Sequence, residues 1–182
     1  MAAVNQGPDP SDAYGRDVAG RIGHGLEAIV EWAGRLAMAI VLAMVLLVAT
    51  NVVLRYLFAI GPVALQELEW HLMAPIAMIG CAYTLRHHAH VRVDVIYARL
   101  PPRMQVLTNL LAAAGLFFTS ILIVKLSLNF VYQAYEIGEG SPDPGGLPYR
   151  FLLKAAIPIG FTLMALQAFA HMILYGKRLL GR

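Results

Sequence analysis

The sequence predicts an all-α integral membrane protein of four transmembrane helices, with both termini cytoplasmic and a third helix that is long or tilted. Three observations carry this reading. Of the 182 residues, 59% are apolar and only 14% charged, and the mean hydropathy is +0.64, whereas a soluble domain carries about 25% charged residues. The apolar residues gather into four uncharged runs, each bounded by charge. Lys and Arg are divided unequally between the segments that join those runs. Four spans of about 20 residues each would use most of the chain, which leaves little for a soluble catalytic domain.

Residues 1–27 are polar, rich in Gly, Pro and Asp, and show no apolar core or small-residue cleavage site of a signal peptide. They are expected to form a polar cytoplasmic N-terminal segment ahead of a transmembrane domain over 28–176. The first uncharged run, 36–54, is closed by Arg35 and Arg55 and predicts a span over about 34–58. The run 70–85 is slightly short for about 30 Å of hydrocarbon, and a helix beginning near Gln66 extends it to about 65–86. Glu67 and Glu69 then fall in the first turn, where acidic groups suit the helix dipole. The third run, 104–124, continues in helical pattern to about Ile137, longer than a bilayer needs unless tilted or protruding. The fourth, 155–176, predicts a span over about 152–176, and 177–182 form a basic tail.

Ten cations fall on one side: Arg16, Arg21 and Arg35, then Arg86, Arg92, Arg99 and Arg103, then Lys177, Arg178 and Arg182. Four fall on the other: Arg55, Lys125, Arg150 and Lys154. The positive-inside rule then places both termini and the loop 86–103 in the cytoplasm. The Ser-Pro-Asp-Pro-Gly-Gly stretch within 138–149 becomes a turn-rich loop outside.

Polar groups near the spans are the candidate functional residues, because hydrocarbon disfavours them. Asn51 and Arg55 share a helix face, as do Glu67 and His71, and an Arg55–Glu67 pair across the first connection would neutralise both charges. Lys125, Asn129, Gln133 and Glu136 are spaced four, four and three apart and form one polar stripe. It is either a snorkelling surface near the headgroups or a contact face for another protein. Ala39 and Ala43 in the first span, and Ala112, Ala113, Ala114 and Gly115 in the third, are expected to permit close helix approach.

Several function classes lose support. The single Cys81 excludes an internal disulfide or paired-cysteine metal knuckle. A net charge of +3 without a basic tract does not make a nucleic-acid surface. No nucleophile elbow, zinc-protease helix, P-loop or dinucleotide motif occurs. His87, His88 and His90 cluster in the loop without metal-ligand spacing. The competing reading is a small membrane-anchor subunit of a haem- or quinone-linked inner-membrane enzyme. It would need two histidines at one depth, and His71 and His171 lie near opposite ends of their spans. No catalytic, cofactor-binding or metal residue is therefore assigned.

The ordered motifs resemble one family. Asn51-Val-Val-Leu-Arg55-Tyr56-Leu-Phe58 closes the first span and Gln66-Glu67-Leu68-Glu69-Trp70-His71 opens the second, with Gly80 deeper. His90-Val-Arg92-Val-Asp94 lies in the loop, Leu100-Pro101 precedes the third span, and Glu139-Gly-Ser141-Pro-Asp-Pro-Gly-Gly-Leu-Pro148 and Lys154 precede the fourth. Together they resemble the small, Q-type membrane subunit of tripartite ATP-independent periplasmic (TRAP) transporters, over roughly 51–167. One departure is Ala64, where many members carry Trp.

The resemblance implies a multi-pass subunit of a bacterial or archaeal inner membrane, in permanent complex with a large multi-span permease subunit and served by a periplasmic substrate-binding protein. The large subunit would hold the solute and sodium sites, and the small one would scaffold it without binding solute. The solute class implied is a carboxylate or keto acid. Asn51, Arg55, Glu67, Glu69, Trp70, His90, Arg92, Asp94, Lys125, Asn129, Ser141 and Lys154 become the expected partner, lipid or structural contacts. Asp94 would pair with neighbouring arginines in the loop, leaving cations for anionic phospholipid headgroups.

Overall fold

A computed structural model describes residues 18–87, 97 and 99–180. Four helices follow in order: α1 (Val18–Leu57), α2 (Val63–Arg86), α3 (Pro102–Glu136) and α4 (Phe151–Leu179). Among the described residues there is no strand, and the all-α architecture is the one expected. Helices α1, α3 and α4 are long and apolar enough to cross a membrane. At 35 residues, α3 has the expected length.

The second helix differs. Its 24 residues would reach about 36 Å, but it falls short of the apolarity of the other three, because Gln66, Glu67, Glu69 and His71 occupy its first turns and Arg86 its last. Four helices are present as expected, and the second is the short, less apolar one that its charged first turn foretold. Helix α1 is 40 residues long, about 60 Å and twice a hydrocarbon core. Hydropathy marks only the part that lipid would cover, whereas the helix itself starts at Val18.

Helix α4 is the centre of the fold. It packs against α1, α2 and α3, and α3 packs chiefly on α4. Its buried residues include Ala156, Gly160, Ala165, Ala168 and Ala170, with the larger Leu174 and Tyr175 toward its C-terminal end. Small side chains let backbones approach, which is how helices associate where lipid is as apolar as leucine. At Gly160 a Cβ atom would meet the Met78 Cβ at 2.5 Å and its carbonyl carbon at 3.0 Å, so α2 and α4 touch almost backbone to backbone. At Gly34 of α1 the Tyr83 ring fills the Cβ position. Within α4, Gln167 Nε2 donates to His171 Nε2 at 3.1 Å in the buried core.

The buried positions of α3 are Ala113, Ser120, Ser127 and Ala134. They recur every seven residues and form a narrow seam of small side chains against α4, the period of a left-handed supercoil. The edge-on rings of Tyr135 and Phe151, 5.3 Å apart, and the tilted rings of Phe117 and Phe169, 5.7 Å apart, flank that seam. This corrects the small-residue reading. Ala39 and Ala43 are exposed, as are Ala112 and Gly115; of the expected residues Ala113 is buried, and the other close approaches fall at Gly34, Ala37 and Gly160. The other faces of α1 and α3 present large apolar side chains outward, among them Leu42, Leu46, Phe118 and Leu126.

At the end where α2 finishes, Glu31 of α1 receives Arg86, His87 at 3.2 Å and Arg35 at 3.4 Å. The expected contacts of His90, Arg92 and Asp94 lie outside the described residues.

Candidate functional site

The opposite end gathers the most elaborate polar arrangement. Here the short link between α1 and α2 and the strap 137–150 between α3 and α4 come together. The strap is built by its own sequence. Gly145 sits at φ +80°, a left-handed conformation that glycine adopts without the penalty of a Cβ. The Gly146 amide donates to the Asp143 carbonyl at 3.0 Å, and the Ser141 amide donates to the Leu147 carbonyl at 3.0 Å, closing the turn. The Ser141 hydroxyl accepts the Asp143 amide at 3.1 Å.

Glu67 locks the strap onto α2. Its carboxylate accepts the Ser141 hydroxyl through one oxygen and the Leu147 amide, at 2.6 Å, through the other. The residue is buried, with 3% exposure, so these bonds replace water that the carboxylate has lost. Arg150 stands over the Trp70 ring at 5.4 Å, a cation–π contact at the strap's last residue. Lys154 pairs with Glu139 at 2.5 Å and lies 4.0 Å above the Phe130 ring. The Arg150 amide donates to the Glu139 carbonyl at 2.9 Å. Both ends of the strap and its middle are therefore fastened.

The predicted residues fare unequally. Asn51 and Glu69 meet, the amide Nδ2 donating to Glu69 Oε1 at 2.9 Å and tying α1 to α2. Glu67, Trp70, Ser141 and Lys154 all join the latch. Arg55 does not. The expected Arg55–Glu67 pair is absent; Arg55 is exposed, and Glu67 has its hydrogen bonds from the strap. Lys125 and Asn129 lie on the exposed side of α3, away from the latch. Leu147, Gly146 and Arg150 belong to the site and carry no sequence signal beyond the glycine-rich run.

Gly146 matters by what it lacks. A Cβ there would stand 2.4 Å from the Ser141 side chain and 2.8 Å from Glu67 Oε2. Gly146→Ala is accordingly expected to push the strap off Glu67 and to raise protease cleavage within 137–150 by about tenfold. Gly140→Ala is the matched control, because its Cβ would meet only Pro148 Cα at 4.0 Å.

Beneath the strap a cavity of about 440 Å³ lies between α2 and α4, walled by Leu68, Pro75, Ile79, Leu152 and Ile159 with Tyr149 as part of its rim. His71 is its polar member. Its Nδ1 donates to the Glu67 carbonyl at 2.7 Å, and its Nε2 is buried without a partner. The Met78–Gly160 contact sets α2 and α4 in parallel register, so His71 and His171 stand 18 residues apart along the axis, about 27 Å. They cannot ligate one haem. Among the described residues no group of three or more His, Cys, Asp or Glu is arranged to hold a metal. The site can fasten helices and present a shaped surface.

Comparison with known proteins bears on this arrangement. Residues 44–175 match the family described as tripartite ATP-independent periplasmic transporters, DctQ component. The chain is 29% identical over 157 residues to the C4-dicarboxylate TRAP transporter small permease protein DctQ of Vibrio cholerae, covering 74% of this chain and 68% of that one. It is 39% identical over 103 residues to the protein of the same description from Rhodobacter capsulatus, covering 56% of this chain and 44% of the relative. It is 30% identical over 138 residues to the ectoine TRAP transporter small permease protein TeaB of Halomonas elongata, covering 71% of this chain and 68% of the relative.

Proposed function

Because the chain belongs to the DctQ component family of tripartite ATP-independent periplasmic transporters, we propose that it acts as the fixed scaffold of a TRAP permease in an inner membrane. It packs against a large multi-span subunit, which moves the solute, and works with a periplasmic binding protein that delivers it. The family is one of transporter subunits and not of enzymes. The observation that carries the scaffold reading is the combination of a fastened end with uncovered flanks. Glu67, Glu69 and Glu139 tie all four helices together through the latch, whereas α1 and α3 turn large apolar side chains outward. A rigid frame with apolar flanks is what a moving neighbour can shift against.

In this reading both termini are cytoplasmic, as the distribution of cations favours, and the latch faces the periplasm, where a binding protein would dock. The solute is a small carboxylate or keto acid, and uptake is coupled to sodium. The named relatives carry different solutes, C4-dicarboxylate and ectoine, which supports selectivity residing outside the small subunit. Phospholipid headgroups would meet the basic residues of the loop that contains Arg92.

Reconstitution tests the scaffold. Proteoliposomes holding the large subunit and this chain, supplied with binding protein and a sodium gradient, are expected to take up labelled dicarboxylate or keto acid. Vesicles lacking this chain are expected to lose at least about 90% of that uptake, since a displaced frame removes the productive geometry altogether. A large subunit that is stable and fully active alone would refute the scaffold role, and flux through this chain alone would make it a carrier.

A further inference from the structure

Helix α3 has two opposite faces, and only one is explained by this chain. The seam of Ala113, Ser120, Ser127 and Ala134 lies on α4. At 100° per residue, Leu122, Lys125, Asn129 and Glu136 fall on the other side of the helix, centred about 180° away, and all four are exposed. No further part of the described chain packs there, since α3 rests chiefly on α4.

Depth makes this face unusual. The ring contacts Phe117–Phe169 and Tyr135–Phe151 set α3 and α4 antiparallel, in a register that puts Lys125 level with Phe161. That is seven residues inside Lys154, about 10 Å along the axis. The uncharged stretch 155–176 of α4 would measure about 33 Å and match the hydrocarbon core. Lys125 and Asn129 therefore stand within the apolar layer, on its open side.

Lys125 makes no ion pair with any described residue. Snorkelling to the nearer surface runs against the helix geometry. Side chains on a helix lean toward its N-terminus, and Lys125 lies in the C-terminal half of α3, so its stem points toward the membrane midplane. A cation held there calls for an opposite charge from a neighbour. Lipid tails supply neither a carboxylate nor a partner for the Asn129 amide.

Resting on the scaffold reading above, we propose that this face of α3 is the docking surface for the large permease subunit, and that a membrane-spanning helix of that subunit presents a carboxylate to Lys125 and a hydrogen-bonding group to Asn129. The contact adds a charge pair to an otherwise apolar interface and so sets the depth at which the two subunits join.

The test uses the full-length chain co-expressed with a tagged large subunit. Lys125→Glu is expected to cut co-purification by about tenfold, and a carboxylate-to-lysine change on the large subunit is expected to restore it. A chain that merely failed to fold would not be restored. Independently, a photo-crosslinking residue in place of Leu122 in the otherwise unaltered complex is expected to link to the large subunit. If that probe labels only lipid, or if Lys125→Glu leaves recovery unchanged, this face is not the interface and the proposal is overturned, while the scaffold reading stands. If the unaltered chain does not co-purify at all, the scaffold reading fails and the proposal with it.

Discussion

Gly160→Val is expected to pry α2 away from α4 and to abolish transport with it. The new Cβ would sit 2.5 Å from Met78 Cβ and 3.1 Å from Met78 Cα. Backbone and Cβ atoms cannot rotate aside as a flexible side-chain end can. Inserting even one methylene into a packed core costs about 1–3 kcal/mol. Three carbons against a backbone should cost at least about 3 kcal/mol, a fall of roughly 10 °C in the melting temperature for a chain of this size. The matched control is Gly115→Val, also within a long apolar helix, where nothing lies within 4 Å of an added Cβ. Thermal melts of the purified full-length chain compare the two. Equal shifts would mean that α2 and α4 do not meet at Gly160.

The second large effect is expected at Glu67. Glu67→Ala removes both acceptors that hold the strap and leaves the Ser141 O–H and the Leu147 N–H without acceptors in a half-buried place. The Leu147 amide reports the loss directly. Its hydrogen exchange is expected to rise by about 100-fold, because two charge-assisted bonds that close the strap are gone. Glu67→Gln keeps one acceptor but turns an amide donor toward one of the two donors, and its exchange should fall between the two. Asn51→Leu is the useful contrast. It breaks the α1–α2 bond to Glu69 without touching the strap, so Leu147 should keep its protection. Exchange at Leu147 unchanged in Glu67→Ala would show that the strap is held by something else.

These residues also show how far the sequence could be read. Four helices, the long third one and the turn-rich connection follow from uncharged runs and from Pro and Gly, which act locally. Most polar residues of the latch, though not Glu139 or Arg150, can be named in advance, because a carboxylate or amide near a span stands out against its neighbours. Their partners are another matter. Glu67 bonds to residues 74 and 80 positions away, whereas spacing along a helix reports only neighbours three or four apart. Arg55 is the nearest cation across the first connection, so proximity in sequence favours it, yet three-dimensional closure brings Ser141 and Leu147 instead. The small-residue stretch at 112–115 shows the same limit. Composition marks it as a place where helices could approach, and only the seven-residue recurrence of Ala113, Ser120, Ser127 and Ala134 identifies the face that does. Gly160 carries a signal, an isolated glycine two residues after Pro158 in an apolar helix, but nothing in the sequence names Met78 as its counterpart.

The seam of α3 has a further consequence for how this chain chooses a single structure. Contact residues that repeat every seven positions present nearly the same surface after a slide of one repeat, about 10 Å. Two of the four are alanine and two serine, so the seam alone distinguishes poorly between one alignment and the next. What breaks the degeneracy is a length. The strap allows α3 only the reach that leaves Ser141 and Leu147 at Glu67, and a helix displaced by one repeat would carry them past it. The latch thus works as an indexing pin: a few hydrogen bonds at one end select, among several near-equivalent helix alignments, the one in which the whole membrane domain is assembled.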